Sequence, residues 1–276
     1  TTWFVTGASR GFGRELTGQL LARGHRVAAT LRRPEQLDDL ADRHQDRLWV
    51  RALDVTDTGQ MRRVVAEAFT DLGRVDVVVS NAGFGVLGAA EDLTDAQVEA
   101  MIATNLTASI QLARAAVPYL RGQGGGRLLQ LSSMGGHIAF PAFSMYHATK
   151  WGIEGFYESL AAEVEPFGIR TTLVEPGMIR STFYEAAARV PVSPPYRGTP
   201  ADRTPIPVGQ MPGDQAKVVA AMIDAALAPD PPRRLLLGSD AYRLVQAALA
   251  ARLAAVEGQR DEAPATDVDG WPGPNP

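Results

Sequence analysis

The chain has 276 residues, with 27 Lys and Arg against 31 Asp and Glu, a formal net charge of −4, and no cysteine. That length suits one large α/β domain or two smaller ones and buries enough surface to fold without a metal or a disulfide. The missing cysteine excludes a disulfide framework, a zinc–thiolate or iron–sulfur centre and a cysteine nucleophile, and mild acidity with interspersed signs argues against electrostatic binding of nucleic acid. From the N-terminus, Thr1-Thr2-Trp3-Phe4-Val5 lacks a basic segment ahead of an apolar one and reads as a strand, not a signal peptide. No stretch approaches the roughly eighteen uncharged apolar residues of a membrane span. The expectation is a cytoplasmic protein with no membrane partner.

Short β-branched or Leu-rich runs then alternate with amphipathic stretches along the chain. Strands are expected at Trp3–Thr6, Arg26–Leu31, Leu48–Asp54, Val75–Ser80, Arg127–Ser132, Arg170–Glu175 and Arg234–Leu237. Runs such as Val77-Val78-Val79 are apolar on both faces, as in a sheet covered on both sides. Helical patterns fall near 13–23, 35–43, 58–71, 95–120, 146–166, 214–228 and 240–257; in the fifth, Ile153, Phe156, Leu160 and Val164 share one face. This alternation predicts a doubly wound, Rossmann-type parallel sheet of seven strands with helices on both faces, in a single domain over 1–257. Pro191 to Pro212 holds seven prolines and no usable period, so 185–213 is expected to be a substrate lid. Residues 258–276, rich in Pro, Gly and Asp, read as a tail.

The first strand runs into Thr6-Gly7-Ala8-Ser9-Arg10-Gly11-Phe12-Gly13 and then a helix. Glycines in a strand-to-helix turn let the backbone approach a pyrophosphate, and the helix N-terminus supplies free N–H donors and the positive dipole end. The spacing G-x-x-x-G-x-G differs from the commoner dinucleotide fingerprint and from a Walker loop. Gly7, Ser9, Arg10, Gly11, Phe12 and Gly13 are therefore expected to bind a dinucleotide. An acidic residue at the end of the second strand would favour NAD; this chain has Leu31-Arg32-Arg33 there. Arg32, with Arg10, suits a 2′-phosphate, and NADP(H) is expected over NAD(H).

Tyr146 and Lys150 stand four apart in a helical pattern, one turn from each other on one face. A cation beside a phenol moves its pKa towards the range useful for proton transfer. Ser133 lies at the end of the fifth strand, where an open α/β sheet holds its ligand. Together, Thr6–Gly13, Asp54-Val55, Asn81-Ala82-Gly83, Asn105, Ser133, Tyr146 with Lys150, and Pro176-Gly177 resemble the short-chain dehydrogenase/reductase family in order and interval, over about residues 2 to 182.

The resemblance implies roles. Tyr146 would be the general acid and base, Lys150 would lower its pKa and bond the nicotinamide ribose, and Ser133 would hold the substrate oxygen. Asn105 would anchor a proton-relay water. Asn81, Ala82 and Gly83 would flank the adenosine, with Asp54 and Val55 beside the adenine. Pro176, Gly177, Ile179 and Ser181 would border the nicotinamide, with Thr182 the alternative hydroxyl to Ser181. It further implies a homodimer or homotetramer through the helices near 95–120 and 146–166, where Ala108–Val117 is small enough for close packing.

Phe84, His137, Phe140, Phe143, Met145 and Trp151, with Phe183 and Tyr184, are expected around the carbonyl site, favouring a bulky apolar ketone or secondary alcohol as the small-molecule substrate. No Arg or Lys is evidently reserved for a substrate anion. The four histidines show no metal spacing, and no metal is expected. The activity so implied is an NADP(H)-dependent carbonyl reductase or alcohol dehydrogenase. The rivals are a redox-inactive NADP(H) sensor and a nucleotide-sugar epimerase or dehydratase.

Overall fold

The computed structural model describes residues 1–203 and 206–272, so part of the expected lid and the last four residues of the expected tail lie outside the described residues. Seven strands form one parallel sheet: β1 (Thr2–Thr6), β2 (Arg26–Leu31), β3 (Leu48–Ala52), β4 (Val77–Ser80), β5 (Gly126–Leu131), β6 (Ile169–Pro176) and β7 (Arg234–Leu237). Their order across the sheet is β7-β6-β5-β4-β1-β2-β3. The single-domain doubly wound sheet expected from the alternation is thus present, strand for strand. The edges shift by one or two residues: β4 starts at Val77 because Asp76 turns its carboxylate back onto the Thr2 amide (2.8 Å).

Alternate residues of each strand enter opposite layers. Phe4, Ala28, Val78, Leu128 and Leu173 face one core with α2 (Thr58–Leu72), α4 (Ala108–Gly122) and α5 (Ser144–Val164), where Ile153, Leu160 and Val164 are buried and Phe156 packs against them. Trp3, Val5, Val27, Ala29, Val79, Leu129 and Val174 face the other, with α1 (Gly11–Ala22) and α6 (Gln215–Leu227). Each such aliphatic side chain contributes about 1.5–3 kcal/mol when fully buried.

Two expected helices differ in detail. Pro34 opens a 3₁₀ turn (Pro34–Leu37) that leaves only Asp38–Ala41 as α-helix in the stretch expected to be helical over 35–43. The expected helix over 95–120 is α3 (Asp95–Met101), a π-helical turn (Ile102–Thr107) and α4. Within Ala108–Val117, Ala108, Ala113 and Ala116 pack against their own sheet. The last helix, α7 (Ser239–Glu257), lies on the surface with Leu249, Leu253 and Val256 exposed.

The loop expected to lack regular structure is tied down at both ends. Ala188 and Arg189 pair in parallel with Val86 and Leu87, and Gly213 and Asp214 pair with Ile179 and Arg180. No helix among the described residues is long and apolar enough to cross a membrane.

Candidate active site

The strand order reverses between β1 and β4, and the crevice beyond the carboxyl ends of the strands at such a point is where this architecture holds ligands. A cavity of about 860 Å³ lies there, walled by chain leaving β1 (Gly7), β2 (Arg32, Arg33), β3 (Leu53, Asp54, Val55), β4 (Asn81, Ala82, Gly83), β5 (Ser132, Ser133) and β6 (Pro176, Gly177). Ser9, Arg10, Gly11, Phe12, Asn105, Tyr146, Lys150, Ile179 and Ser181 complete the expected set on its wall. Gly13 is the exception. It stands behind the loop, where a Cβ would meet the Gly7 carbonyl oxygen at 2.3 Å and Asn81 Nδ2 at 2.6 Å. Its role is to let α1 close on the loop, so Gly13→Ala should destabilise the fold by about 1–3 kcal/mol through overpacking, read as a lower urea midpoint.

The loop fits a dinucleotide pyrophosphate. Gly7 (φ 69°) and Gly11 (φ 54°) adopt left-handed backbone, which side chains disfavour. Arg10 at the N-cap of α1 makes no side-chain cap, so the first-turn N–H groups are not capped from there. Asn81 donates its amide to the carbonyls of Thr6 (2.8 Å) and Gly7 (3.2 Å), stapling the end of β4 to the loop. Of the two hydroxyls left open by the sequence, Ser181 Oγ accepts from the Phe183 N–H at 3.4 Å. Thr182 Oγ1 faces the loop, 3.6 Å from where a Gly11 Cβ would stand.

At the far end of this cleft, Arg10, Arg32 and Arg33 form no ion pair among the described residues. Asp54 accepts from the Thr56 hydroxyl (2.7 Å) and amide (3.0 Å). These bonds, helped by the Arg32 charge and opposed by partial burial, hold its carboxyl below the usual range.

Tyr146 and Lys150 come from successive turns of α5, and the ammonium sits 5.5 Å from the phenol ring centre. Phe143 stacks on the phenol at 4.4 Å between centroids, and Phe183 tilts against it at 5.6 Å. Burial pushes the Tyr146 hydroxyl above its usual pKa, the Ser133 hydroxyl opposes this with a hydrogen bond, and Tyr184 adds to the rise. Lys150 directs its Nζ at the Leu131 carbonyl (2.7 Å), and the hydrogen bond that draws the Tyr146 hydroxyl down comes from Ser133. Lys150 itself is drawn down to about 8 by burial, against the pull of Glu154.

β5 ends at Leu131, and the next two serines diverge. Ser132 donates to Glu154, whereas Ser133 accepts from the Gly135 amide (3.0 Å) and reaches Tyr146. Asn105 falls in the π-helical turn, a feature the sequence pattern does not show, and its side chain is spent on Phe84: it accepts from the Phe84 N–H (3.0 Å) and donates to the Phe84 carbonyl (2.8 Å).

A second cavity of about 270 Å³ adjoins the first, sharing Ser133, Tyr146 and Tyr184. Phe140, Phe143, Met134 and Met178 wall one side; Val190, Val192, Ala201, Ile206 and Met211 of the expected lid wall the other. Of the residues expected around the carbonyl, Phe84 and Phe183 line the first cavity, and three line neither. Trp151 is 43% exposed beneath the Arg252 guanidinium (4.4 Å), Met145 packs behind Tyr146, and His137 is buried among charges described below. Conversely, Arg189 and Arg203 do line this cavity, so cations stand at its wall that the sequence did not single out. His147 is a clasp: its Nδ1 faces the Gly135 carbonyl and its Nε2 accepts from the Phe140 N–H, both at 2.9 Å, and burial lowers its pKa.

A glycine loop at a helix start, a Ser–Tyr–Lys cluster beside it and an apolar cavity next to the phenol define a nicotinamide-type oxidoreductase site. The model of the short chain dehydrogenase family matches residues 1–190, and the chain belongs to that family of oxidoreductases. It is similar to "Oxidoreductase BOA17" of Botryotinia fuckeliana, 38% identical over 244 residues that span 87% of this chain and 89% of that one. A short-chain dehydrogenase from Streptomyces avermitilis superposes with a TM-score of 0.88 at 38% identity, over 97% of this chain and all of that one. A Burkholderia cenocepacia short chain dehydrogenase in complex with NADP shares the fold, with a TM-score of 0.74 and 24% identity over 92% and 94% of the two chains.

Proposed function

We propose that the protein is an NADP(H)-dependent carbonyl reductase or alcohol dehydrogenase acting on a bulky, largely apolar ketone or secondary alcohol. The observation that carries this reading is the contact of the two cavities at Ser133 and Tyr146: a long cleft beside the glycine loop and a largely apolar pocket meet at one phenol hydroxyl and one serine hydroxyl. When bound, the dinucleotide supplies a hydride from nicotinamide C4 to the carbonyl carbon. Ser133 holds the carbonyl oxygen, and Tyr146 donates its proton to that oxygen. Lys150, beside the ring, contributes a positive charge that opposes the cost of the phenolate left behind. Phe143 and Phe183 pack against the phenol and exclude water from it.

Selection of the phosphorylated cofactor follows from Arg32, Arg33 and Arg10, which offer guanidinium forks at the adenosine end where β2 carries no carboxylate. Separate titrations with NADPH and NADH, followed by nicotinamide fluorescence, test this: NADPH should bind at least about tenfold more tightly, the effect of one charge-assisted bond. Equal binding would remove the arginines from the assignment, and no binding of either would remove the oxidoreductase reading of the site. The lid residues that wall the second cavity belong to the same reading, as does a homo-oligomer, checked by sedimentation of the purified chain.

A further inference from the structure

The catalytic face of α5 does not end at Lys150. Tyr146, Lys150 and Glu154 stand at i, i+4 and i+8, and all three are buried, Glu154 at 5% exposure. The Glu154 carboxylate accepts from Ser132 Oγ at the end of β5 and from Arg234 Nη1 on β7. Arg234 also donates to Glu175 on β6 (2.6 Å) and to Glu158 on the next turn of α5, and its Nη1 lies 2.9 Å from His137 Nε2. His137, Glu154 and Glu175 bring their ligand atoms within 4.8 Å of one another, an arrangement able to hold a metal ion, yet the Arg234 guanidinium already stands against all three. The cluster is built around an arginine. One guanidinium faces two interior carboxylates and Glu158; burial, with Glu175, raises the Glu154 carboxyl above its usual pKa against the bonds from Ser132 and Arg234, and Lys150 is the neighbouring buried cation.

Resting on the reading of Tyr146 and Lys150 as the proton-transfer pair, we propose that Glu154 is a positioning residue, the buried counter-charge that keeps Lys150 cationic while its bond to Ser132 sets the turn that presents Ser133. Three features of the site demand such a group. Lys150 forms no ion pair within 4 Å among the described residues and donates its bond to a neutral carbonyl. Burial alone works strongly against its charge, and Glu154 is the group that opposes this. Tyr146 on its own helix also faces Lys150, and the groups clustered with Glu154 are Ser132 just after β5, Glu175 on β6, Arg234 on β7 and His137 after the 134–136 turn. Of these only the carboxylates support an ammonium, and Arg234 is spent on Glu175 as well as on Glu154. Burial works against the Arg234 charge, but Glu154, Glu158 and Glu175 outweigh it and hold it charged, so the cluster is fixed in place.

The chain has only two lysines, Lys150 and Lys217, and Lys217 is exposed. Lysine-selective ¹³Cε labelling therefore gives two resonances, with Lys217 as the internal reference. In Glu154→Gln, which keeps the shape but removes the charge, the Lys150 midpoint should move down by about one pH unit or more while Lys217 stays. The alkaline limb of kcat should move to lower pH by the same amount, with KM for NADPH changed less than about twofold, as expected of a group that does not touch the cofactor. A Lys150 midpoint equal to that of the wild type would overturn the proposal. So would a neutral Lys150 at pH 7 in the wild-type protein, a measurement that needs no variant to fold. Because the titration reads the lysine without turnover, a shifted Lys150 in a protein that reduces no ketone would count against the ketone-reduction reading alone.

Discussion

Replacing Tyr146 by phenylalanine should leave a folded protein that binds NADPH and reduces its ketone about 10²–10⁴-fold more slowly, the contribution expected of a positioned general acid. The substitution removes one oxygen from a ring already stacked on Phe143 and packed by Phe183, so the aromatic cluster survives and the loss reports chemistry, not collapse. Because burial raises the hydroxyl above its ordinary pKa, Tyr146 stays protonated at neutral pH, the form needed to give a proton in reduction. The same shift works against the oxidative direction, which needs the phenolate, so alcohol oxidation should accelerate with rising pH while ketone reduction does not. Stopped-flow measurement of NADPH consumption checks the first claim and steady-state pH profiles the second. Full turnover by the Tyr146→Phe variant would abolish the assigned proton donor.

Arg32→Asp should weaken NADPH binding about ten- to hundredfold while NADH binding holds or improves. A hydrogen bond to a charged group is worth about 1.5–3 kcal/mol, and each 1.4 kcal/mol is a factor of about ten in affinity. The change also places a second carboxylate near Asp54, whose low pKa depends in part on the Arg32 charge. Isothermal titration at two salt concentrations separates the contributions, since an exposed guanidinium–phosphate pair weakens as salt rises. An unaltered NADPH/NADH ratio would transfer the selectivity to Arg10 and Arg33 or abolish it.

Much of the fold was legible because its causes are local. Val77-Val78-Val79 is apolar on both faces because both faces are covered, and such runs alternating with helical periods mark a parallel sheet. Gly7, Gly11 and Tyr146 with Lys150 carry their chemistry in spacings of a few residues, so they were placed on the cavity wall without coordinates. Gly13 shows the limit of that reading: its place in the motif was visible, but its packing against Gly7 and Asn81 was not.

The doubly wound sheet, the glycine loop and the Ser–Tyr–Lys cluster could be read without the fold, since each follows from hydrophobic period or from residues within a few turns of one another. The tertiary structure alone decided which groups surround that cluster. Asn105 turned to Phe84 through a π-helical turn, Trp151 faced outward, and Arg234 was brought to Glu154 from 80 positions along the chain. Periodicity assigns a residue to a face of its own element, but the charges that face meets come from other strands, and only packing brings them together.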